Sequence, residues 1–320
     1  MVPTEYEFQR IALMRGLILG EKFKRLEAGF EGEEKFYRYL KAFGMRHWVI
    51  LRNVWFNDDS DFECDFILLT WHGIYLFEVK NYYGKFVYEN GACSSRGVPI
   101  TYNLVDQARN ATLHLRNITR GFPGQLEVHG ALVFIGEHNH VEIRDDINFI
   151  DIVQTNEVYQ FMHEIKLKEE AYRGSRRQLD ALAGDFRTRQ IPNPYLSLPF
   201  TPAEMKKAKS GVFCANCQEK VEITRSDYVK CECGLHEPKE EAIVRSACEY
   251  GVLTHGRNFT AGDIEKFLGS QSSIKYIKKV LSTHFDIVED SKVVTYINSS
   301  RDFPHISTNF QFKLPKKRYL

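Results

Sequence analysis

Residues 64–80 read Cys64-Asp65-Phe66-Ile67-Leu68-Leu69-Thr70-Trp71-His72-Gly73-Ile74-Tyr75-Leu76-Phe77-Glu78-Val79-Lys80. Two apolar runs flank a tight turn at Trp71-His72-Gly73, so the pattern predicts two strands joined as a hairpin. Alternation with period two puts Asp65, Ile67 and Leu69 on one face of the first strand. It puts Ile74, Leu76, Glu78 and Lys80 on one face of the second. A carboxylate among such neighbours is costly unless it is paired, hydrogen-bonded or bound to metal. Two carboxylates and a lysine on adjacent strands therefore point to a site for a hard cation such as Mg2+ or Mn2+. The lysine would stand beside the bound water or a scissile phosphate.

Upstream of this hairpin, Phe36, Leu40 and Phe43 recur at helical spacing, which predicts a helix over 32–43 with those residues buried. Glu33 lies on the same inward face, whereas Glu34 is turned to the side. The plainer use of Glu33 is as a first-turn acid favoured by the helix dipole. Residues 4–30 also read as helix, a solvated one packing on the core that follows. Residues 48–56 read as a strand, and Asn57-Asp58-Asp59-Ser60-Asp61 as a polar loop of solvated turn residues. Downstream, Lys85-Phe86-Val87-Tyr88 follows Gly84 as another strand. A helix is expected from about Leu104 to Thr119, with Gln107, Ala111 and His114 on one face. His114 reads as a satisfied core histidine rather than a base. Val128–Ile135 and Ile147–Val153 have strand length and would extend the sheet. Between them, Gly136-Glu137-His138-Asn139-His140 reads as a solvated loop, since a third metal ligand at useful spacing is missing. Further helices are expected over 158–173 and 177–188.

The spacing Asp-x12-Glu-x-Lys at Asp65, Glu78 and Lys80 resembles the core of the PD-(D/E)xK nuclease superfamily. Around it stand Gly32-Glu33, the run Glu78-Val79-Lys80-Asn81 followed by Gly84, and Asn103 and Gln107 opening a later helix. Together these resemble the nuclease-related domain (NERD) family, over roughly residues 28–120. The resemblance implies a restriction-endonuclease-like α/β fold, a mixed sheet flanked by helices. It implies metal-dependent hydrolysis of phosphodiester bonds in nucleic acid, DNA in the first place. Asp65 and Glu78 would hold Mg2+ or Mn2+, with the main-chain carbonyl of Val79 as a third ligand. Glu33 would complete the shell directly or through water. Lys80 would orient the attacking water or stabilise charge growing on the phosphate, and Gln107 would point toward the same place. The rival reading is a non-catalytic nucleic-acid-binding scaffold, or a stress or defence component that acts only with a partner.

Beyond this region, Ile191-Pro192-Asn193-Pro194-Tyr195-Leu196-Ser197-Leu198-Pro199-Phe200 is Pro-rich and extended, a domain boundary. Thr201-Pro202-Ala203-Glu204 has the form of a capping box starting a short helix. Cys214-Ala215-Asn216-Cys217 and Cys231-Glu232-Cys233-Gly234 then give C-x2-C, thirteen residues, and C-x-C. Two such knuckles read as a zinc ribbon with a structural Zn2+ on four thiolates, its hairpin formed by 221–224 and 227–230. The short second knuckle leaves His236 as a substitute ligand, and a redox dithiol at Cys214 and Cys217 as the alternative. From residue 241 onward, helices are expected over 241–250, 261–268 (with Thr260 as N-cap) and 273–283, then a hairpin over 286–297. Three helices and a hairpin look like a winged helix-turn-helix, with Lys275, Lys278 and Lys279 on its last helix. A helical protein-interaction domain is the alternative. The tail carries Lys313, Lys316, Lys317 and Arg318, either disordered or a phosphate-contacting arm. The expected organisation is thus a nuclease-like domain with an N-terminal helix over 1–190, a linker and short helix over 191–211, a zinc ribbon over 212–238 and a winged-helix-like domain over 239–320.

Composition narrows the class. The 320 residues are 43% hydrophobic and 27% charged, ordinary for a globular protein, and the net charge of +1 leaves nucleic-acid contact to local patches. The longest apolar run is too short to span a membrane, and residues 1–15 lack a signal-peptide pattern, so the cytoplasm is the expected compartment and no membrane partner is expected. Seven cysteines, four of them in two knuckles, do not form a disulfide framework.

Overall fold

The computed structural model describes residues 5–20, 23–122, 126–223, 227–288 and 293–298. The basic tail with Lys313, Lys316, Lys317 and Arg318 lies outside them. Two compact units emerge: Lys24–Pro194, and a second that joins the N-terminal segment to the residues from Tyr195 onward. The expected single helix over 4–30 is instead two elements, α1 (Glu5–Met14) and α2 (Phe23–Phe43). Gly32 and Glu33 therefore stand in mid-helix, not at a helix start, which removes the helix-dipole role considered for Glu33.

In the Lys24–Pro194 unit, β1 (Val49–Asp58), β2 (Ser60–Leu69) and β3 (Gly73–Lys80) form an antiparallel meander. The expected polar loop at 57–61 is the tip of the β1–β2 hairpin, with Asp58 paired to Ser60 and Asp59 at φ 59°. Beyond β3 come β4 (Gly84–Glu89), β5 (Ala92–Ser95), β6 (Val98–Pro99), α3 (Leu104–Thr119), β7 (Glu127–Phe134), β8 (Asn139–Ile143) and β9 (Ile150–Gln154). The helices α4 (Val158–Glu169) and α5 (Arg176–Arg189) close the unit. The main sheet has the order β1-β2-β3-β7-β9, with β7 parallel to both neighbours; a second sheet runs β6-β5-β4-β8.

The main sheet is covered on both faces, which explains why its central strands read as continuous apolar runs. Ile67, Leu69, Ile74, Leu76 and Val128 pack with Ala111, Leu115 and Ile118 of α3 and Leu179, Leu182 and Phe186 of α5. Phe66, Leu68, Tyr75, Phe77 and Val133 pack with Phe36 and Leu40 of α2 and Val158, Met162 and Ile165 of α4. The alternation is not uniform, however. Phe62 and Cys64 share a cluster with Ile67 and Leu69, and Val54 and Phe56 share it with Val49 and Leu51. Each strand thus slips by one residue, at Asn53 (φ 49°) on β1 and across Asp65 on β2. Asp65 is not simply a member of the Ile67–Leu69 face; it stands at the break in phase.

The second unit contains α6 (Pro202–Met205), β10 (Val212–Phe213), β11 (Lys220–Val221), β12 (Tyr228–Lys230) and β13 (His236–Pro238). It continues with α7 (Lys239–Leu253), β14 (Phe259–Thr260), α8 (Ala261–Phe267), α9 (Ile274–His284), β15 (Asp286–Val288) and β16 (Thr295–Ile297). The capping box at Thr201 and Glu204 is formed, as is one at Thr260 and Asp263. The N-terminal helix packs here, not on the sheet core as expected. Phe8, Ile11 and Ala12 of α1 cluster with Met205, Val252, Leu253 and Phe267. Just past α1, the fully buried Arg15 ion-pairs with Glu249, which also pairs with Arg245 at 2.9 Å; Arg245 in turn reaches Glu237 at 2.7 Å. Two guanidinium groups against two carboxylates balance the charge that burial would otherwise make costly.

Candidate active site

The β2–β3 ladder ends at Phe66 and Phe77. Past that point the Val79 N–H is donated to Asp65 Oδ2 at 2.7 Å, replacing the lost strand partner. The N–H and C=O of one strand residue point to the same edge, so the Val79 carbonyl lies on the Asp65 side as well. Glu78 and Lys80 sit on the α3 face of β3. Lys80 Nζ donates to Glu78 Oε1 at 2.7 Å, and the pair is almost buried, at 16% and 4% side-chain exposure. It is therefore not the surface ion pair that would argue against a catalytic lysine. Asn103 caps α3 by accepting from Val105 and Asp106, which sets the register of the first turn. Gln107 then bridges the pair: its Nε2 donates to Glu78 Oε1 at 2.7 Å, and its Oε1 accepts from Lys80 at 3.3 Å.

Glu33 arrives from α2. Its helix comes close because residue 32 is glycine: a Cβ there would lie 2.6 Å from Asn81 Cβ and 3.2 Å from an Ile135 methyl. Glu33 Oε2 is buried without a hydrogen-bond partner. Glu34, by contrast, is bound to Arg52. The structure also brings in Glu63, two residues before Asp65 on β2, which the sequence patterns did not single out. Burial pushes both Glu33 and Glu63 up to about 7, with Glu78 adding repulsion to each. Burial, then Glu78 and Glu33, raises Asp65 well above the usual carboxylate range. Burial opposes the Lys80 ammonium, but Glu78 and Asp65 outweigh it and raise its pKa.

Four acids around one lysine form a pocket with an excess of negative charge and an unsatisfied oxygen, which suits a divalent cation. Their oxygens do not all converge on one point. Among the described residues, the cysteine set is the one group of three or more His, Cys, Asp or Glu whose donor atoms all lie within 4.8 Å of one another. An expected result follows for the metal-free protein. An acid raised from 4.5 to about 7 stabilises the fold below pH 4.5 relative to its ionised form, and that contribution is lost as pH rises through 7. Glu33→Gln should therefore leave stability unchanged near pH 4.5 and raise it at pH 8, by about 3 kcal/mol at most. Urea unfolding of both proteins across that range checks it; parallel curves would mean the Glu33 carboxyl is not buried in solution.

Other sequence candidates are accounted for without chemistry. His114 is held by Asp58 at 3.0 Å and stacks on Phe62. Glu137 pairs with Lys35 and His140 with Glu142, so that loop assembles no metal set.

Cys214, Cys217, Cys231 and Cys233 do converge. The Cys214–Cys233 and Cys217–Cys231 sulfurs lie 3.6 and 3.4 Å apart. This is close to the edge of about 3.8 Å that a tetrahedron with Zn–S bonds of about 2.3 Å requires. The Leu235 N–H and the Asn216 amide lower Cys233 to about 6, while burial raises Cys214; at Cys231 the Cys233 N–H is outweighed by burial and the neighbouring thiols, which push it up to about 12. The group could hold a metal ion such as zinc, and His236 is not part of it. The hairpin pairing differs from expectation. β10 pairs with β11 and β12 with β13, so each knuckle joins a hairpin of its own. The short C-x-C knuckle still closes because Gly234 adopts φ 89°, which tightens the turn.

Residues 28–135 match the family model of the nuclease-related domain. The matched span holds Glu33, Glu63, Asp65, Glu78, Lys80 and Gln107, and ends before the four-cysteine cluster. No curated protein matches the chain, and no solved structure does. No helix among the described residues is long and apolar enough to cross a membrane.

Proposed function

We propose, from the premise that residues 28–135 form a nuclease-related domain, that this protein is a metal-dependent nuclease hydrolysing phosphodiester bonds, with DNA as the favoured substrate. The observation that carries the reading is the joining of Glu78, Lys80 and Gln107 beside Asp65, where β2 and β3 part. A Mg2+ or Mn2+ ion held by Asp65, Glu78 and the Val79 carbonyl would lower the pKa of a water molecule and screen the phosphate charge. Glu33 would reach that ion through water. Lys80, kept protonated by its acidic neighbours, would donate to the attacking water or to a phosphate oxygen as negative charge grows there. Gln107 would hold the ammonium in place while Glu78 turns its charge to the cation. Glu63 would add to the negative field of the pocket. The test is purified protein with Mg2+ or Mn2+ on labelled single- and double-stranded DNA and RNA. Cleavage that needs the metal supports the reading. Metal binding without cleavage of any substrate would shift it to a nucleic-acid-binding scaffold or a partner-dependent protein.

The cysteine cluster would carry a structural zinc ion, since four thiolates leave no open position for chemistry. The order α7, β14, α8, α9, then the β15–β16 hairpin, with β16 between β14 and β15, supports a winged-helix reading of the C-terminal part. Lys275, Lys278 and Lys279 are exposed on α9, whose buried side is Ile277, Val280 and Leu281. Reversing the three lysines to glutamate should weaken DNA binding most at low salt and flatten its salt dependence, by about one unit of log–log slope for each phosphate no longer neutralised. Anisotropy titrations from 50 to 300 mM salt, roughly the range over which counterion release is read, would show this. An unchanged slope would assign the unit to a protein partner.

A further inference from the structure

Two chain segments lead into the site, and each presents tyrosine. Strand β3 ends at Lys80 and is followed by Tyr82 and Tyr83; Tyr102 directly precedes Asn103, the cap of the helix that carries Gln107. The Tyr82 and Tyr102 hydroxyls lie 3.3 Å apart. Tyr83 and Tyr102 are each 58% exposed, although rings of this size usually bury most of their area. Beside them, the second sheet places Arg96 over Gly84: its Cγ lies 3.0 Å from where a Cβ of residue 84 would be. Gly84 has φ 77°, so a side chain there would be strained as well as blocked. The other cations of this sheet are neutralised, Lys85 by Glu142 and Arg144 by Glu89 and Glu142. Arg96 makes no ion pair among the described residues.

We infer that Tyr83, Tyr102 and Arg96 form a ledge that binds single-stranded nucleic acid next to the cleavage site, by stacking unpaired bases on the tyrosines and placing a phosphate on Arg96. The inference rests on the nuclease reading for its location and deepens it by naming the substrate class. Unpaired bases offer free π-faces, whereas in a duplex those faces are already stacked. Ring faces with one uncompensated guanidinium match a single strand better than a uniform phosphate surface, which would call for several free cations. The position supports the same occupant. A strand lying on Tyr102 runs past the N-terminal turn of α3, where Gln107 holds Lys80.

The test uses the full chain without divalent metal and a 12-mer containing 2-aminopurine, in DNA and RNA forms, beside the same sequence as a hairpin duplex. Tyr83→Ala and Tyr102→Ala should each weaken single-strand binding about tenfold and reduce the quenching that stacking produces. Tyr83→Phe and Tyr102→Phe should bind within about twofold of wild type, because the ring face is retained. Duplex binding should be unchanged throughout. Alanine variants that bind the single strand as well as wild type, or that lose duplex and single strand equally, overturn the inference. Cleavage of the same strands with Mn2+ separates it from the underlying reading. Tyrosine-dependent binding without cleavage leaves the ledge standing and removes the nuclease. Cleavage with tyrosine-independent binding does the reverse.

Discussion

Asp65→Asn and Lys80→Ala are each expected to abolish metal-dependent cleavage in a chain that still folds. The routes differ. Asp65→Asn keeps an oxygen to accept the Val79 N–H but removes one negative charge from the cation's surroundings, so metal affinity should fall. Lys80→Ala leaves the Gln107–Glu78 hydrogen bond in place, so metal should still bind while the chemical step slows by about 100-fold or more. Isothermal titration with Mn2+ beside a cleavage time course distinguishes the two. Variants that both cut like wild type would assign the cleavage to another site or to a contaminant. Burial, Glu78 and Glu33 all oppose the charge on Asp65, so Asp65→Asn should be no less heat-stable than wild type, whereas Lys80→Ala, which leaves the buried Glu78 without its counter-charge, should be less so.

The second large effect concerns the cysteines. Purified protein should contain about one zinc per chain. Cys217→Ser or Cys231→Ser should lose it and unfold the surroundings of 212–238. Metal binding to such sites supplies about 10–16 kcal/mol, and β10 to β13 are only two or three residues each, with Val212, Val221 and Val229 as their buried anchors against Ala242, Ile243 and Ala247 of α7. Elemental analysis and limited proteolysis report both losses. Protein free of zinc, with a Cys214–Cys217 disulfide by mass spectrometry, would make the pair a redox dithiol instead.

How far these features can be read in advance depends on how local their causes are. The β2–β3 hairpin, α3 with its face, and the capping boxes at Thr201 and Thr260 follow from neighbours within a few residues, and the structure agrees. Asp65, Glu78 and Lys80 adjoin where the strand ends meet, as their spacing suggests, whereas Gln107 on the first turn of α3 is legible only through the resemblance to the nuclease-related domain. Glu63 is harder to see, because a glutamate beside an exposed hairpin tip reads as solvated until its opposite strand is known. The slip at Asn53 is equally invisible, since nothing in its immediate neighbours demands a positive φ. Longer-range choices are beyond reach. Ile11 and Met14 at helical spacing announce an apolar side to α1, not which surface buries it. The knuckle hairpins are illegible for a related reason: strands of two or three residues carry too little pattern to choose a partner.

The packing of α1 on α7 has a consequence for how the protein is made. The helix ending at Met14 emerges from the ribosome well before its partner, which begins only at Lys239, roughly 225 residues later. At ordinary synthesis rates that is a delay on the order of 10–45 s. Throughout it, Phe8, Ile11 and the Arg15 guanidinium lack the surfaces that cover them in the finished chain. The Lys24–Pro194 unit can condense in the interval, as an insertion completed before its host. Chains in this interval are therefore open to misassociation through α1. Slowing translation between Met14 and Leu253 should lower soluble yield more than slowing it beyond Leu253.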